Sequence, residues 1–182
     1  MSSLIISYLI GSIPFSYIWT RLFKNKDIRE VASKNAGTTN VMMNVGVIPG
    51  ILTMIGDVMK GVLAARIGAK LPVGELGYIL PAVAIAGHNW PIWLSFRGGG
   101  GLATFIGSGL YLVNWWSLVL VLLIWGILFF IMKSHDKSAL LTCIISPAIV
   151  LLAGKGLNTF LFYLSSSIVI GLRRLQSMRC AA

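Results

Sequence analysis

Charged residues are scarce in this sequence, and acidic residues are the scarcest. Only 11% of its 182 residues are charged, and 5 of these are acidic against 15 that are basic. Because an ordinary soluble domain carries about 25% charged residues, a chain that is 57% hydrophobic does not have the polar surface of a water-soluble fold. The same composition excludes an intrinsically disordered chain, which is low in hydrophobic residues.

Cysteine and histidine are also rare, with 2 of each. Cys143 lies inside an apolar run and Cys180 near the basic end of the chain, a spacing that fits neither a disulfide framework nor a metal site. No G-x-S-x-G, H-x-x-x-x-D or metal-ligand cluster occurs. We therefore expect free thiols and no zinc site, and neither the usual acyltransferase motif nor a serine-hydrolase motif is present. The net charge of +10 does not predict nucleic-acid binding, because the basic residues lie between long apolar runs.

Long hydrophobic runs are what the sequence has in abundance. A helix needs about 20 apolar residues to cross the hydrocarbon core, and somewhat fewer when helices are short and bundled. Pro14 interrupts the first run, and the polar turn at 114–117 divides a long uncharged stretch. The sequence thus predicts an all-α membrane protein, a bundle of seven transmembrane helices in a single domain over 1–182. The predicted spans are 1–20, 45–69, 76–96, 102–113, 118–132, 138–153 and 157–172.

The basic residues are unequally divided between the two sides of this bundle. One set of connections holds eleven: Arg21, Lys24, Lys26, Arg29, Lys34, Arg97, Lys133, Lys137, Arg173, Arg174 and Arg179. The alternate connections hold three: Arg66, Lys70 and Lys155. Since cytoplasmic loops carry the excess of Lys and Arg, the sequence predicts an N-terminus outside and a first long loop in the cytoplasm.

Two ionisable residues, Asp57 and Lys60, lie inside the second predicted span. They are three positions apart and therefore share one face of a helix. Each costs roughly 2.5 to 3.5 kcal/mol at a helix centre, so a partner or a polar cavity is required. One interpretation is a mutual ion pair without further function. The other is that Asp57 holds Lys60 or a neighbouring loop in place while a charged ligand binds.

Two polar clusters fall in predicted cytoplasmic connections. The first, at 33–40, combines small hydroxyl and amide side chains with Gly37, and a helix that begins at Thr38 or Thr39 would add free backbone N–H groups that suit phosphate. In the second, Arg97 precedes the four glycines at 98–101, whose backbone can approach an anion closely. Ordinary turn chemistry and a flexible hinge are the competing interpretations. His88 near the end of the third span is either a hydrogen-bonded structural residue or a base, whereas His135 is expected to be solvated.

In their order and spacing, these clusters resemble the bacterial acyl-phosphate:glycerol-3-phosphate acyltransferase family, known as PlsY. The similarity covers about residues 8–107, with a matching serine at Ser138. It rests on Gly11-Ser12-Ile13-Pro14, Asp27-Ile28-Arg29, Ser33-Lys34-Asn35-Ala36-Gly37-Thr38-Thr39-Asn40-Val41, Asp57-x-x-Lys60-Gly61, Gly87-His88-Asn89-Trp90-Pro91, Phe96-Arg97-Gly98-Gly99 and Ala103-Thr104.

The resemblance implies an inner-membrane enzyme of bacteria whose site faces the cytoplasm. Its substrates are glycerol 3-phosphate and acyl phosphate, its partner is membrane lipid, and it uses neither metal nor coenzyme. The implied catalytic residues are His88, Lys60, Asp57 and Arg97. The implied substrate-binding residues are Ser12, Arg29, Ser33, Asn35, Gly37, Thr38, Thr39, Asn40, Gly98, Gly99, Gly100, Gly101, Thr104 and Ser138. We expect these groups to converge on one basin that holds two phosphates.

The sequence departs from the family pattern at several positions. The family's Gly-Gly-Lys-Gly reads as four glycines at 98–101, Lys34 replaces a glycine, and Met43 stands where an arginine is usual. The family's C-terminal His-Arg-x-Asn-Ile segment is not recognisable at 171–178, so a substrate ligand is expected to be missing there. Two alternatives to an active enzyme therefore stay open, a small membrane transporter or channel and an inactive homologue.

Overall fold

The chain is almost entirely helical. A computed structural model describes residues 2–71, 74–154 and 156–181, and within them the all-α class is confirmed. The α-helices are α1 (Ser2–Ser12), α2 (Phe15–Lys24), α3 (Thr38–Asn44), α4 (Val47–Lys70), α5 (Leu80–Asn89), α6 (Leu102–Leu112), α7 (Trp115–Met132), α8 (His135–Leu152) and α9 (Leu157–Ala181). Short 3₁₀ turns cover Ile28–Glu30, Gly74–Ile79 and Ile92–Leu94.

Four stretches of the described residues are long and apolar enough to cross a membrane: Ser2–Lys24, Val47–Lys70, Trp115–Met132 and His135–Leu152. The predicted count of seven spans is therefore not confirmed. The predicted third span, 76–96, contains one α-helix, the 10-residue α5, between two 3₁₀ turns, and Pro91 disfavours helical geometry at the residue before it. The predicted fourth span is the 11-residue helix α6. Pro14 separates α1 from α2 as expected.

Glycines let the helices around the centre approach closely. A Cβ atom at Gly11 of α1 would collide with the backbone carbonyl of Ala84 in α5, and one at Gly61 of α4 would collide with the carbonyl of Thr104 in α6. Small residues at such crossings allow backbones to pack directly, which is typical of helices in lipid. These crossings bring the middle of α4 and the end of α5 next to the break between α1 and α2.

Two buried clusters hold the bundle together, and the second of them lies at its polar end. Phe105 of α6 stacks on Phe162 of α9 with ring centroids 5.3 Å apart, and this joins the last helix to the centre. Beneath the polar loop of residues 33–40, Ile28, Val41 and Leu94 form a separate apolar cluster. Both the polar loop and the turn before Arg97 therefore rest on packed side chains.

Candidate active site

Asp57, Lys60 and His88 meet in one buried cluster. The Lys60 Nζ atom lies 2.7 Å from Asp57 Oδ1, and the two side chains are each 2% exposed, so the predicted ion pair is confirmed. The same Nζ lies 2.7 Å from His88 Nδ1, and that nitrogen lies 3.4 Å from Asp57 Oδ1. Because α4 supplies the ion pair and α5 the imidazole, the cluster joins the middle of α4 to the end of α5.

The break at Pro14 completes this cluster. Since α1 ends at Ser12, the carbonyl of Ile13 lies outside the helix and accepts a hydrogen bond of 3.2 Å from Lys60 Nζ. The Ser12 hydroxyl is buried and has no partner among the described residues. Ser12, Asp57, Lys60 and His88 line a small cavity, called here the hollow, of about 10 Å³. That volume suits about one water molecule.

The glycine loop, residues 98–101, borders the hollow through Gly98 and Gly99. The backbone N–H groups of Gly98 and Gly99 donate to the carbonyls of Asn89 and His88 at 3.1 Å each. A Cβ atom at Gly99 would collide with His88 Nε2. Arg173 of α9 holds the loop from the other side, donating to the carbonyls of Gly98 at 2.8 Å and Gly99 at 3.0 Å. Glycine at position 99 therefore lets the imidazole lie directly against the loop.

The polar loop is organised by its own side chains. Asn40 Nδ2 donates to the carbonyls of Ile28, Val31 and Asn35 at 3.0 to 3.3 Å. Preceding the loop, the Arg29 guanidinium donates to both carboxylate oxygens of Asp27. These hydrogen bonds lower the pKa of Asp27 below its ordinary value and raise the pKa of Arg29.

A much larger cavity, called here the cleft, opens beside the hollow with a volume of about 1070 Å³. Its basic side chains are Lys34, Arg97, Arg173 and Arg174, and Asp136 is the one acidic side chain among the described lining residues. Apolar groups line another part: Met43, Phe96, Trp125 and Phe129. A cavity that combines several cations with an aromatic wall can hold the charged head and the apolar tail of a lipid-like anion.

The predicted site residues are divided between the two cavities rather than gathered in one basin. Six line the cleft: Ser33, Asn35, Thr39, Asn40, Arg97 and Gly100. Six line the hollow: Ser12, Asp57, Lys60, His88, Gly98 and Gly99. Because Gly99 lines the hollow and Gly100 the cleft, the loop backbone separates the two cavities. The remaining six line neither cavity: Arg29, Gly37, Thr38, Gly101, Thr104 and Ser138.

Of these six, Arg29 and Ser138 form hydrogen bonds elsewhere, whereas the hydroxyls of Thr38 and Thr104 are buried without a partner among the described residues. Arg29 Nη1 donates to the Leu94 carbonyl at 2.9 Å, in addition to its bonds with Asp27. The Ser138 hydroxyl donates to the carbonyl of Ser134 at 2.7 Å, within the first turn of α8. Gly37 and Gly101 immediately precede α3 and α6, and Gly101 has a φ of 82° that favours glycine. α3 begins at Thr38, one of the two starting positions that the sequence analysis considered. The role of the six in substrate binding stays a prediction.

Sequence reasoning missed the contribution of α7, α8 and α9 to the cleft. The segment 171–178 was expected to lack a substrate ligand, yet Arg173, Arg174, Gln176 and Ser177 all line the cleft. His135 is exposed, as expected, and it also lines the cleft, where its ring meets Trp125 edge-on at 5.4 Å. The one signal for these residues is the Arg173-Arg174 pair at the end of the last apolar run, on the side that carries most of the basic residues.

Comparisons with known proteins agree with this architecture. The family described as Glycerol-3-phosphate acyltransferase matches residues 1–180. A relative named Glycerol-3-phosphate acyltransferase 1, from Moorella thermoacetica, is 37% identical over 78% of this chain and 72% of its own length. The Glycerol-3-phosphate acyltransferase of Syntrophomonas wolfei is 38% identical over 84% of this chain and 77% of its own.

A solved structure shares the whole fold. The crystal structure of PlsY (YgiH), an integral membrane glycerol 3-phosphate acyltransferase in its glycerol 3-phosphate form, superposes with a TM-score of 0.78 at 29% identity. The superposition covers 99% of this chain and 88% of that one. With a family match over residues 1–180 and this shared membrane fold, the chain belongs to the glycerol-3-phosphate acyltransferase family.

Proposed function

We propose that the protein transfers a fatty acyl group from acyl phosphate to the 1-hydroxyl of glycerol 3-phosphate, a step of phospholipid biosynthesis. The products are lysophosphatidate and inorganic phosphate. The observation that carries the proposal is the cleft, which places four basic side chains beside an aromatic wall in a chain of this family. Both substrates are phosphate anions and one has a long apolar tail, so the cleft suits each part of the reaction.

The reaction requires one bond to form and one to break. The 1-hydroxyl oxygen of glycerol 3-phosphate attacks the acyl carbonyl carbon, and the bond from that carbon to the phosphate oxygen breaks. The hydroxyl proton passes to the leaving phosphate, which is itself a base. The chain must therefore hold two phosphates close to one carbonyl and stabilise the charge that develops on the carbonyl oxygen.

Arg97 is the member of the predicted catalytic set that lines the cleft. Its side chain is exposed and forms no hydrogen bond or ion pair among the described residues, so its donors are available to a phosphate. Asp57, Lys60 and His88 lie behind the glycine loop, and the His88 carbonyl accepts a hydrogen bond from Gly99. We assign these three to positioning the loop, whose backbone faces the substrates through Gly100.

The location follows from the distribution of charge. The cleft is lined by residues from the first long loop, from the turn before the glycine loop, and from the adjoining ends of α8 and α9. These segments carry the larger set of basic residues, which is the set expected in the cytoplasm. The proposal therefore places this integral membrane protein in the bacterial inner membrane, as a single domain with its N-terminus outside and its cleft facing the cytoplasm.

The test is an assay of the purified protein in lipid vesicles. Given acyl phosphate and glycerol 3-phosphate, it should release inorganic phosphate and form lysophosphatidate. Arg97→Ala should lower kcat/KM by about 10- to 100-fold, because each lost charged hydrogen bond weakens binding. Arg66→Ala, an exposed arginine of α4 remote from the cleft, is the matched control and should retain full activity. Intact folded protein without turnover would identify an inactive homologue, and flux of solute across the vesicles without acyl transfer would identify a transporter.

A further inference from the structure

Arg174 of α9 is a buried cation whose hydrogen bonds are incomplete. The residue is 5% exposed and lines the cleft. Its Nη1 donates to Asp136 Oδ1 at 3.0 Å, and its Nη2 makes a long contact of 3.4 Å with the carbonyl of Gly100. Its Nε is buried and has no partner among the described residues. A buried guanidinium with a donor left unsatisfied is costly unless another acceptor arrives.

Gly100 provides the space that this guanidinium occupies. The three heavy atoms nearest to a Cβ atom built at Gly100 all belong to Arg174, and they include Cζ at 2.9 Å and Nη1 at 3.1 Å. The φ angle of Gly100 is not in the left-handed region, unlike that of Gly101, so its backbone does not itself require glycine. The absence of a side chain at position 100 therefore allows Arg174 to approach the loop.

The net positive charge of the residues around Arg174 also favours the binding of an anion. Asp136 is the acidic lining residue of the cleft, and its second oxygen already accepts a hydrogen bond from Ser177 at 2.9 Å. Lys34, Arg97 and Arg173 line the same cavity, so the described lining residues carry four permanent positive charges against one negative charge. Arg173 differs from Arg174 in that it donates to the carbonyls of Gly98 and Gly99, which fixes the loop.

We propose that Arg174 is a substrate-binding residue of this chain, which binds the phosphate group of one of the two substrates in the cleft, with its guanidinium held against Gly100. Asp136 and the Gly100 carbonyl orient the guanidinium, and a phosphate oxygen completes its hydrogen bonds. The inference rests on the proposed function for its substrates. Because both carry a terminal phosphate group, the kinetic constants for glycerol 3-phosphate and acyl phosphate determine which one Arg174 holds.

Steady-state kinetics of four variants test this assignment. Arg174→Gln should raise the KM of one substrate by about 10- to 100-fold, with a smaller change in kcat and in the KM of the other. Arg174→Lys, which keeps the charge, should recover part of the loss. Gly100→Ala should act in the same direction by displacing the guanidinium, and Gly100→Ala/Arg174→Gln should be no worse than Arg174→Gln alone. Gly126→Ala, where a Cβ atom has no neighbour within 4 Å, is the control for glycine replacement.

A binding measurement keeps the inference separate from the proposed function. Inorganic phosphate should raise the thermal unfolding midpoint of the purified wild-type protein, and the rise should be several-fold smaller in Arg174→Gln at equal concentration. An inactive wild-type protein that still shows this difference would overturn the proposed function alone. Unchanged KM values for both substrates in Arg174→Gln, or an equal phosphate-induced shift in the variant and the wild type, would overturn the role of Arg174.

Discussion

The Lys60 ammonium and the Asp57 carboxylate satisfy each other in a place that neither could occupy alone. Both side chains are 2% exposed, and Lys60 also contacts His88 and the Ile13 carbonyl. Removing one member of a buried pair leaves an uncompensated charge, which costs about 3 to 5 kcal/mol. We therefore expect Lys60→Met to lower the stability of the protein strongly, as measured by thermal unfolding in detergent.

The double variant separates the ion pair from other effects of Lys60. Asp57→Asn/Lys60→Met removes both charges, so it should be more stable than either single variant. If the double variant instead lost the sum of the two single losses, the two charges would not depend on each other and the pairing argument would be wrong.

The Asp27–Arg29 pair lies in a connection outside the membrane-spanning helices. It predicts that the stability of the protein depends on pH. Hydrogen bonds from Arg29 hold the pKa of Asp27 below its ordinary value of 3.8. A group with a lowered folded-state pKa contributes stability in full above its unfolded pKa, and loses it as the pH falls through the folded pKa. Asp27→Asn should therefore be less stable than the wild type at neutral pH, with the difference decreasing as the pH falls below 3.8 and vanishing below the lowered folded-state pKa of Asp27.

Thermal unfolding at a series of pH values measures this difference. Glu30→Gln, three positions away in the same turn, is the matched control because its carboxylate has no ion-pair partner among the described residues. A gap between the wild type and Asp27→Asn that stayed constant into strong acid would show that the carboxylate charge does not stabilise this loop.

For individual residues, the sequence predicts contacts within one helix better than contacts between helices. The spacing of Asp57 and Lys60 indicated their pairing correctly, because three positions along a helix define a shared face. The approach of His88 depends on how α5 crosses α1 and α4, which no local pattern encodes. Arg174 was missed for the same reason, since its loop partner Gly100 is 74 positions away.

Among the helices, the close packing of α1 against α5 depends most clearly on the absence of one Cβ atom. A Cβ atom at Gly11 would overlap the backbone of Ala84, which cannot move away as a flexible side chain can. Gly11→Ala should therefore separate the two helices and pull the Ile13 carbonyl away from Lys60. We expect a lower thermal unfolding midpoint together with reduced acyl transfer, whereas Gly126→Ala should change neither. Wild-type stability in Gly11→Ala would show that the helices are not pressed together at this point.

Helix boundaries were predictable where apolar runs are bounded by polar residues. The run at 45–69 corresponds to α4 at Val47–Lys70, and the run at 138–153 to α8 at His135–Leu152. The prediction failed over 76–96, because hydropathy counts apolar residues without regard to the 3₁₀ turns on either side of α5. Composition thus gave the class of the fold, while the lengths of its short central helices required the structure.

In the molecule as a whole, the cleft assembles segments that are remote in sequence. Its lining comes from residues 32–44, 96–100, 125–136 and 173–177. The sequence predicted that the polar clusters would share one side of the membrane, but not that a loop backbone would separate them into two cavities. That separation depends on Gly99 lying directly against His88, where there is no room for a side chain. The hydrophobic pattern of the sequence cannot specify such a contact.

The proposed orientation in the membrane can be tested by labelling one position from the larger basic set and one from the smaller set. In a background with Cys143 and Cys180 replaced by serine, Lys137→Cys and Lys70→Cys place one exposed thiol near each end of the bundle. Because the larger basic set is expected in the cytoplasm, a membrane-impermeant maleimide added to intact spheroplasts should label the cysteine at position 70. The cysteine at position 137 should react only after the membrane is opened. The reverse pattern would place the cleft outside, away from any cytoplasmic supply of its phosphorylated substrates.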